Sequence, residues 1–433
     1  MLDFIKDKII EIVLGFLLIL LLVVEANTIG DLDIFISASK DLLKGNNIYL
    51  IKYREWFHYY YDVFFALIIS PLQFIPLYWA NLLWSLLNVA LTYRIWIIIK
   101  SYLPYNMLSK SQRRLFTTIS FVFIFALWFK NIHLTQLTIL ILFLCLEGIY
   151  QIENKKPLYG SLFIAVGISI KILPIVLIPY LLYRGQFKPV IFSLLFVIVL
   201  LFLPAIFIGF DYNIILLQER WTLINPLNNA HIIDVSERSF HSLTSFLSVL
   251  LVEDARNAYS LDLKRNIANL SIDNLKLIIN AVRLAFILGT LFFINSFPFK
   301  ASKSKLQSFY ELSYIMLIIP LIFPHQQHYA FLFIFPSISY LVFYFIIKYF
   351  YDENKKRTIK ISVLGIYFLL IYFLLNSHFI LGEYNTFYDH YKTLTYGVFL
   401  LILLLAIARP DKMLLLIERN KTKIHKAAKK SDL

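Results

Sequence analysis

The chain has 433 residues, of which 59% are hydrophobic and 16% charged, and its formal net charge is +14. Soluble domains run at about 45–50% apolar and about 25% charged. No soluble fold of this length hides so much apolar surface, because much of any fold faces water. A soluble enzyme, a disordered chain and a secreted disulfide scaffold are excluded, and what remains is a polytopic membrane protein. The single cysteine, Cys145, sits inside an apolar run, so no intrachain disulfide can form.

Runs such as 192–203 are solidly apolar, whereas the strands of an outer-membrane barrel alternate. The fold class is therefore all-α. A crossing helix needs about 20 apolar residues. The first run, 9–24, is followed by Glu25-Ala26-Asn27 with no small-residue cleavage site, so it reads as a retained helix rather than a removed signal. Helices are predicted near 9–26, 81–99, 115–130, 134–151, 158–170, 172–183, 189–209, 276–296, 309–323, 328–347, 359–376 and 392–408. That is about twelve crossings, within a range of about 11–13. The apolar stretch 63–79 is interrupted by Pro71 and Pro76 and reads as an interfacial or re-entrant segment.

Loop charge gives the orientation, since Lys and Arg accumulate on the cytoplasmic side. Residues 100–114 hold Lys100, Lys110, Arg113 and Arg114 without an acid, and 297–308 hold Lys300, Lys303 and Lys305 without one. The 348–360 loop and the tail 409–433 are also basic. These segments are expected inside, with both termini cytoplasmic and the tail close enough to touch anionic lipid heads. Residues 27–62 carry four basic and five acidic side chains, residues 210–274 five and eight, and residues 377–391 only Glu383 and Asp389. These three are expected outside. The basic runs are topology signals, and nucleic acid is not an expected partner.

This threading sends eight of the nine histidines to the outer boundary: His58, His133, His231, His241, His325, His328, His378 and His390. Histidine is costly in lipid and useful in sites, so the bias points to outer-face chemistry. Loops hold polar residues in any case, and some of these will be no more than that. Lys171 stands between the apolar run 162–170 and Leu173-Pro174. It either snorkels to the interface or offers an ammonium to a lipid phosphate. The first outer loop opens with Asp31-Leu32-Asp33. Two carboxylates there suit a general base or the oxygen ligands of a divalent cation, and Asp also favours any helix N-terminus.

In this order the pieces resemble the C-type glycosyltransferases, most closely glycosyltransferase family 87, the polyprenyl-phosphate-mannose-dependent mannosyltransferase type. The resemblance runs from Asp31-Leu32-Asp33-Ile34-Phe35 through Ala38, Gly45 and Tyr49 to Phe64-Phe65-Ala66-Leu67, Pro71 and Pro76. It continues with Trp84, Asn88, the outer turn His133-Leu134-Thr135-Gln136, Gly167 to Pro174 around Lys171, and Tyr183-Arg184. It ends with His325-Gln326-Gln327-His328-Tyr329. The chain departs from the family pattern at Tyr61-Asp62-Val63, at Thr135-Gln136 and at Arg238-Ser239-Phe240-His241-Ser242-Leu243.

The resemblance implies one transmembrane glycosyltransferase domain over 1–408, with a catalytic outer loop at 27–62 and a large outer loop at 210–274, followed by the basic tail. It implies a plasma-membrane enzyme that moves a hexose, mannose in the family type, from a polyprenyl-phosphate donor to a glycolipid or glycan acceptor, with inversion. It also implies Asp31 as the base, with Asp33 second. Lys171, His325, His328, Arg238, Arg220 and His241 are the implied phosphate cations, and His58, Tyr59, His133 and Gln136 the acceptor pocket. No cofactor and no metal is expected, although the Asp pair leaves a divalent cation open. The chain shows no Gly-rich phosphate loop for a nucleotide sugar. Two other classes compete with this reading. An O-antigen polymerase or ligase would use 210–274 as its large outer loop but would not need the acid- and aromatic-rich loop 27–62. A lipid-linked sugar transporter or flippase would carry internal repeats, and none is visible.

Overall fold

The computed structural model of the chain describes residues 2–225, 231–257, 260–351 and 355–418. The tail cluster at 426–430, His425 and residues 352–354 of the basic loop lie outside the described residues. Helix dominates, and among the described residues the only β pairing is two isolated bridges, Tyr53 with Phe57 and Phe240 with Gln327.

In chain order the helices are α1 (Leu2–Glu25), α2 (Asp31–Leu43), α3 (Val63–Ile69), α4 (Leu77–Tyr102), α5 (Lys110–His133) and α6 (Thr138–Glu153). There follow α7 (Pro157–Ile170), α8 (Leu177–Tyr183), α9 (Phe187–Phe202), α10 (Ala205–Ile208), α11 (Phe210–Ile224) and α12 (Leu243–Leu251). The last are α13 (Ile272–Ile294), α14 (Lys305–Ile322), α15 (Phe335–Tyr351), α16 (Lys355–Ile380), α17 (Asn385–His390) and α18 (Thr393–Ile407). Local chemistry sets several starts. Asp62 accepts from the Phe64 N–H at the head of α3, and Ser242, Ser271 and Ser304 cap α12, α13 and α14 in the same way.

Among the described residues, six helical stretches are long and apolar enough to cross a membrane: Leu77–Tyr102, Lys110–His133, Phe187–Ile208, Ile272–Ile294, His328–Tyr351 and Lys360–His378. A seventh forms if Gly382–His390 and Thr393–Ile407, bent by 69°, are one span. Apolar side chains left exposed on these helices, such as Leu195 and Ile198 on α9 or Leu284 and Leu288 on α13, suit lipid, which is as apolar as Leu. The segment Val63–Phe74 is α3 followed by a 3₁₀ turn. Its twelve residues would reach about 18 Å as a helix, short of the bilayer core of about 30 Å. The loops 27–62 and 210–274, which the charge pattern expects outside, carry helices of their own: α2 in the first, α11 and α12 in the second.

The chain forms two compact units. The first comprises residues 1–95, 129–175 and 188–225. In it α6 and α7 form a close hairpin, where a Cβ on Gly160 would collide with the Gly148 carbonyl oxygen. Only glycine permits that approach, the small-residue packing common in membranes. The second comprises 96–128, 176–187 and 226–433. It is built around α14, which is buried from Leu306 to Ile322 apart from the half-buried Gln307, and Phe293 stacks on Tyr314 at 3.9 Å.

Candidate active site

The first unit gathers one set of the flagged residues at the start of α2. Gly30 precedes the helix and has no side chain with which to cap it, so the open N–H groups are met from the turn after α5. The Asp31 N–H donates to the Leu134 carbonyl and the Leu32 N–H to Thr135 Oγ1, each at 2.9 Å. A Cβ on Gly30 would collide with Thr135 Oγ1 and stand 2.6 Å from the Leu134 carbonyl carbon, so this docking needs glycine. Thr135 itself adopts a left-handed φ of 47°. His133 Nδ1 contacts Glu25 Oε2 at 2.7 Å, and Thr28 donates to the His133 carbonyl at 3.1 Å. The turn 133–136 is thus tied to the junction between α1 and α2.

This scaffold aims Asp31. Its carboxylate is half-buried and accepts from Gln136 Nε2 at 2.5 Å. Burial pushes the carboxyl above the ordinary Asp range, while the Gln136 hydrogen bond and the charges of Arg54 and Lys171 pull it back. A carboxyl raised above its ordinary range is a better proton acceptor when ionised than a solvated one. The N-terminal end of α2 adds a favourable dipole.

Lys171 follows the last residue of α7, and its N–H donates to the Gly167 carbonyl at 3.0 Å. Gly167 leaves room for Pro174, whose Cγ would touch a Cβ there at 3.0 Å. The Lys171 ammonium lies 6.0 Å from the centroid of the Tyr61 ring and feels Asp31 electrostatically, without a salt bridge among the described residues. It remains available to an anion.

The other flagged residues of this unit have defined places. Asp33 pairs with Arg54 through Nη2 at 2.9 Å. Arg220 is largely buried and forms an ion pair with the buried Asp62. It also reaches the Ser169 carbonyl at 3.5 Å, two residues from Lys171. Tyr59 is wholly buried and donates to the Asp62 carbonyl at 2.9 Å. His58 packs edge-on against Tyr60 at 6.2 Å.

The second unit holds the remaining four. An antiparallel bridge between Phe240 and Gln327 lays the two flagged segments side by side, with the His241 N–H on the Gln326 carbonyl and the His328 N–H on the Ser239 carbonyl. His325 has a left-handed φ of 57°, and its Nδ1 meets Asp234 at 2.6 Å while its Nε2 meets His231 at 2.6 Å. Asp389 collects Arg238 Nε at 2.7 Å and His241 Nε2 at 3.3 Å, with His378 at 3.8 Å. The buried His328 ring lies 5.0 Å from that of His378. Burial alone would raise both carboxyls, but His325 beside Asp234, and His241, His378 and Arg238 beside Asp389, hold them below the usual range. Among the described residues no group of three or more His, Cys, Asp or Glu is disposed to hold a metal ion.

Arg54, Glu25, Asp62, Asp234 and Asp389 are not among the site residues that the sequence marks. Their partners are distant in sequence, from 21 residues for Arg54 and Asp33 to 158 for Arg220 and Asp62. No local spacing announces such pairs.

A helical fold whose long apolar helices leave apolar side chains exposed is that of a membrane-embedded protein. The model of glycosyltransferase family 87 matches residues 59–324, more than half of the chain. The chain belongs to that family and is a membrane glycosyltransferase. The match contains Lys171, Gln136, Arg220, Arg238 and His241, and it begins after Asp31 and ends one residue before His325. No curated protein matches the chain.

Proposed function

We propose that the chain moves a hexose, mannose in the first instance, from a polyprenyl-phosphate donor to a glycolipid or glycan acceptor at the outer face of the plasma membrane. In this reading it crosses the membrane about twelve times with both termini cytoplasmic. The acceptor hydroxyl attacks the anomeric carbon from the face opposite the phosphate, and Asp31 takes its proton. The bond from that carbon to the phosphate oxygen breaks with its electrons left on the phosphate, so the configuration inverts. Charge grows on the phosphate as the bond breaks, and a cation aimed there favours the transition state over the ground state. Lys171 is assigned that role.

The observation that carries the reading is the meeting of Asp31, supported by Gln136, with an ammonium that no carboxylate among the described residues neutralises at short range. Donor binding by His325 and His328, with Arg238 and His241 behind them, rests on the family resemblance. Arg220, paired with Asp62, also reaches the segment that carries Lys171. The test is transfer in proteoliposomes of the purified protein. Polyprenyl-phosphate mannose should yield free polyprenyl phosphate and an acceptor heavier by one hexose. Transfer from a nucleotide sugar, with none from the lipid-linked one, would overturn the proposal.

A further inference from the structure

Asp31 and Asp33 both stand in the first turn of α2. A cation of the same unit reaches this turn. Arg54 directs Nε and Nη2 to Asp33 Oδ2 at 3.1 and 2.9 Å, and Nη2 also to the Gly30 carbonyl at 2.7 Å. The rigid fork of a guanidinium makes three such bonds an orientation as well as an attraction. The loop is shaped for it. Arg54 and Glu55 have φ of 47° and 70°, which side-chain-bearing residues avoid, and paired bonds between Tyr53 and Phe57 at 2.7 and 2.9 Å close the turn around them. Strained backbone of this kind persists where the surroundings impose it, often at functional sites.

We propose that Arg54 is the built-in counter-cation of the Asp31–Asp33 pair, a positioning residue that keeps Asp31 ionised as the base and lets the pair work without a bound divalent cation. The inference rests on Asp31 being that base. The charged and titratable groups around Asp31 in its unit are Asp33 on the same helix, Arg54, Tyr61 and Asp62 from the loop, His133 beside Gln136, Lys171 after α7, and Arg220 from α11. Asp62 and Arg220 neutralise each other, and His133 faces Glu25. Asp31, Asp33, Arg54 and Lys171 are left, two charges of each sign.

The test is the pH dependence of kcat/KM for sugar transfer, with Arg54→Ala, Arg54→Lys and Asp33→Asn beside the parent and protein folding checked by thermal melting. Losing Arg54 makes Asp31 harder to ionise, so the acid limb should move up by about one pH unit, the size expected of a nearby opposite charge. Arg54→Lys should restore most of that shift. Asp33→Asn removes a neighbouring negative charge and should move the limb down. A merely structural role would not give opposite directions. The parent should be indifferent to a chelator, and Arg54→Ala should regain activity with added guanidinium. An unmoved limb in folded Arg54→Ala, or a parent that a chelator silences, would overturn the inference. Full turnover by Asp31→Asn would instead overturn the base assignment beneath it.

Discussion

Gln136 donates from Nε2 to Oδ2 of Asp31 across 2.5 Å, joining residues 105 apart in sequence. The contact is possible because Gly30 lets the head of α2 lie directly on the Leu134–Thr135 backbone. Sequence, packing and chemistry meet at that junction. Gln136→Ala removes a hydrogen bond to a charged group, worth about 1.5–3 kcal/mol. Turnover should fall and the acid limb of the rate profile should move to higher pH, because Asp31 loses support for its ionised form. Donor KM should change little.

Gly30→Ala should destabilise the protein without touching a charged group. The new Cβ would collide with backbone as well as with Thr135, and overpacking of this kind typically costs about 1–3 kcal/mol. A lowered melting temperature in detergent checks it. A melting temperature equal to the parent's would mean that the α2 junction is looser than the contacts indicate.

Lys171→Ala should weaken donor use by roughly 10- to 150-fold, the loss of about 1.5–3 kcal/mol of charge-assisted bonding to phosphate. Lys305→Ala, at the start of α14, should do almost nothing. Unchanged donor kinetics in folded Lys171→Ala protein would leave that ammonium with only a snorkelling role.

The second unit predicts a stability effect. Asp234 and Asp389 have carboxyls held below the ordinary range in the fold. Their contribution is therefore fully present above the unfolded carboxylate pKa, about 3.9, and is lost as pH falls through the lower folded values. Thermal melts from pH 6 down to about pH 3 should show a steep loss below about pH 4. Asp389→Asn should lower the melting temperature at pH 7, since it leaves Arg238 and His241 without their shared carboxylate.

The residues that can be read from sequence are those whose signal is local. Asp31 and Asp33 follow the first apolar run directly, Lys171 interrupts another, and His133 to Gln136 sit in a short turn. Arg54 carries no such signal, because an Arg in a loop of mixed charge looks solvated until its turn brings it to Asp33. Arg220 shows no partner in the sequence and is paired with Asp62 in the fold, a pairing fixed only by how α11 packs near α3. The helical class follows from composition. The helix lengths do not, since Pro71 and Pro174 fall in 3₁₀ turns that leave α3, α7 and α8 shorter than a span.

Orientation can be checked by thiol labelling, because the native Cys145 is buried. A cysteine at Lys44, after α2, should react with an impermeant reagent from outside intact cells, and one at Lys303 should not. Labelling at 303 from outside would reverse the placement of the site.

The most direct measurement is turnover of Asp31→Asn in proteoliposomes supplied with polyprenyl-phosphate sugar and acceptor. The amide keeps the shape and can still face Gln136, so folding and donor binding should survive while turnover drops by about 10²- to 10⁴-fold, the range for a lost general base. Asp33→Asn, whose partner is Arg54, should lose less. Normal turnover by Asp31→Asn together with a dead Asp33→Asn would move the base two residues along α2. Normal turnover by both single variants and the double variant would contradict the account.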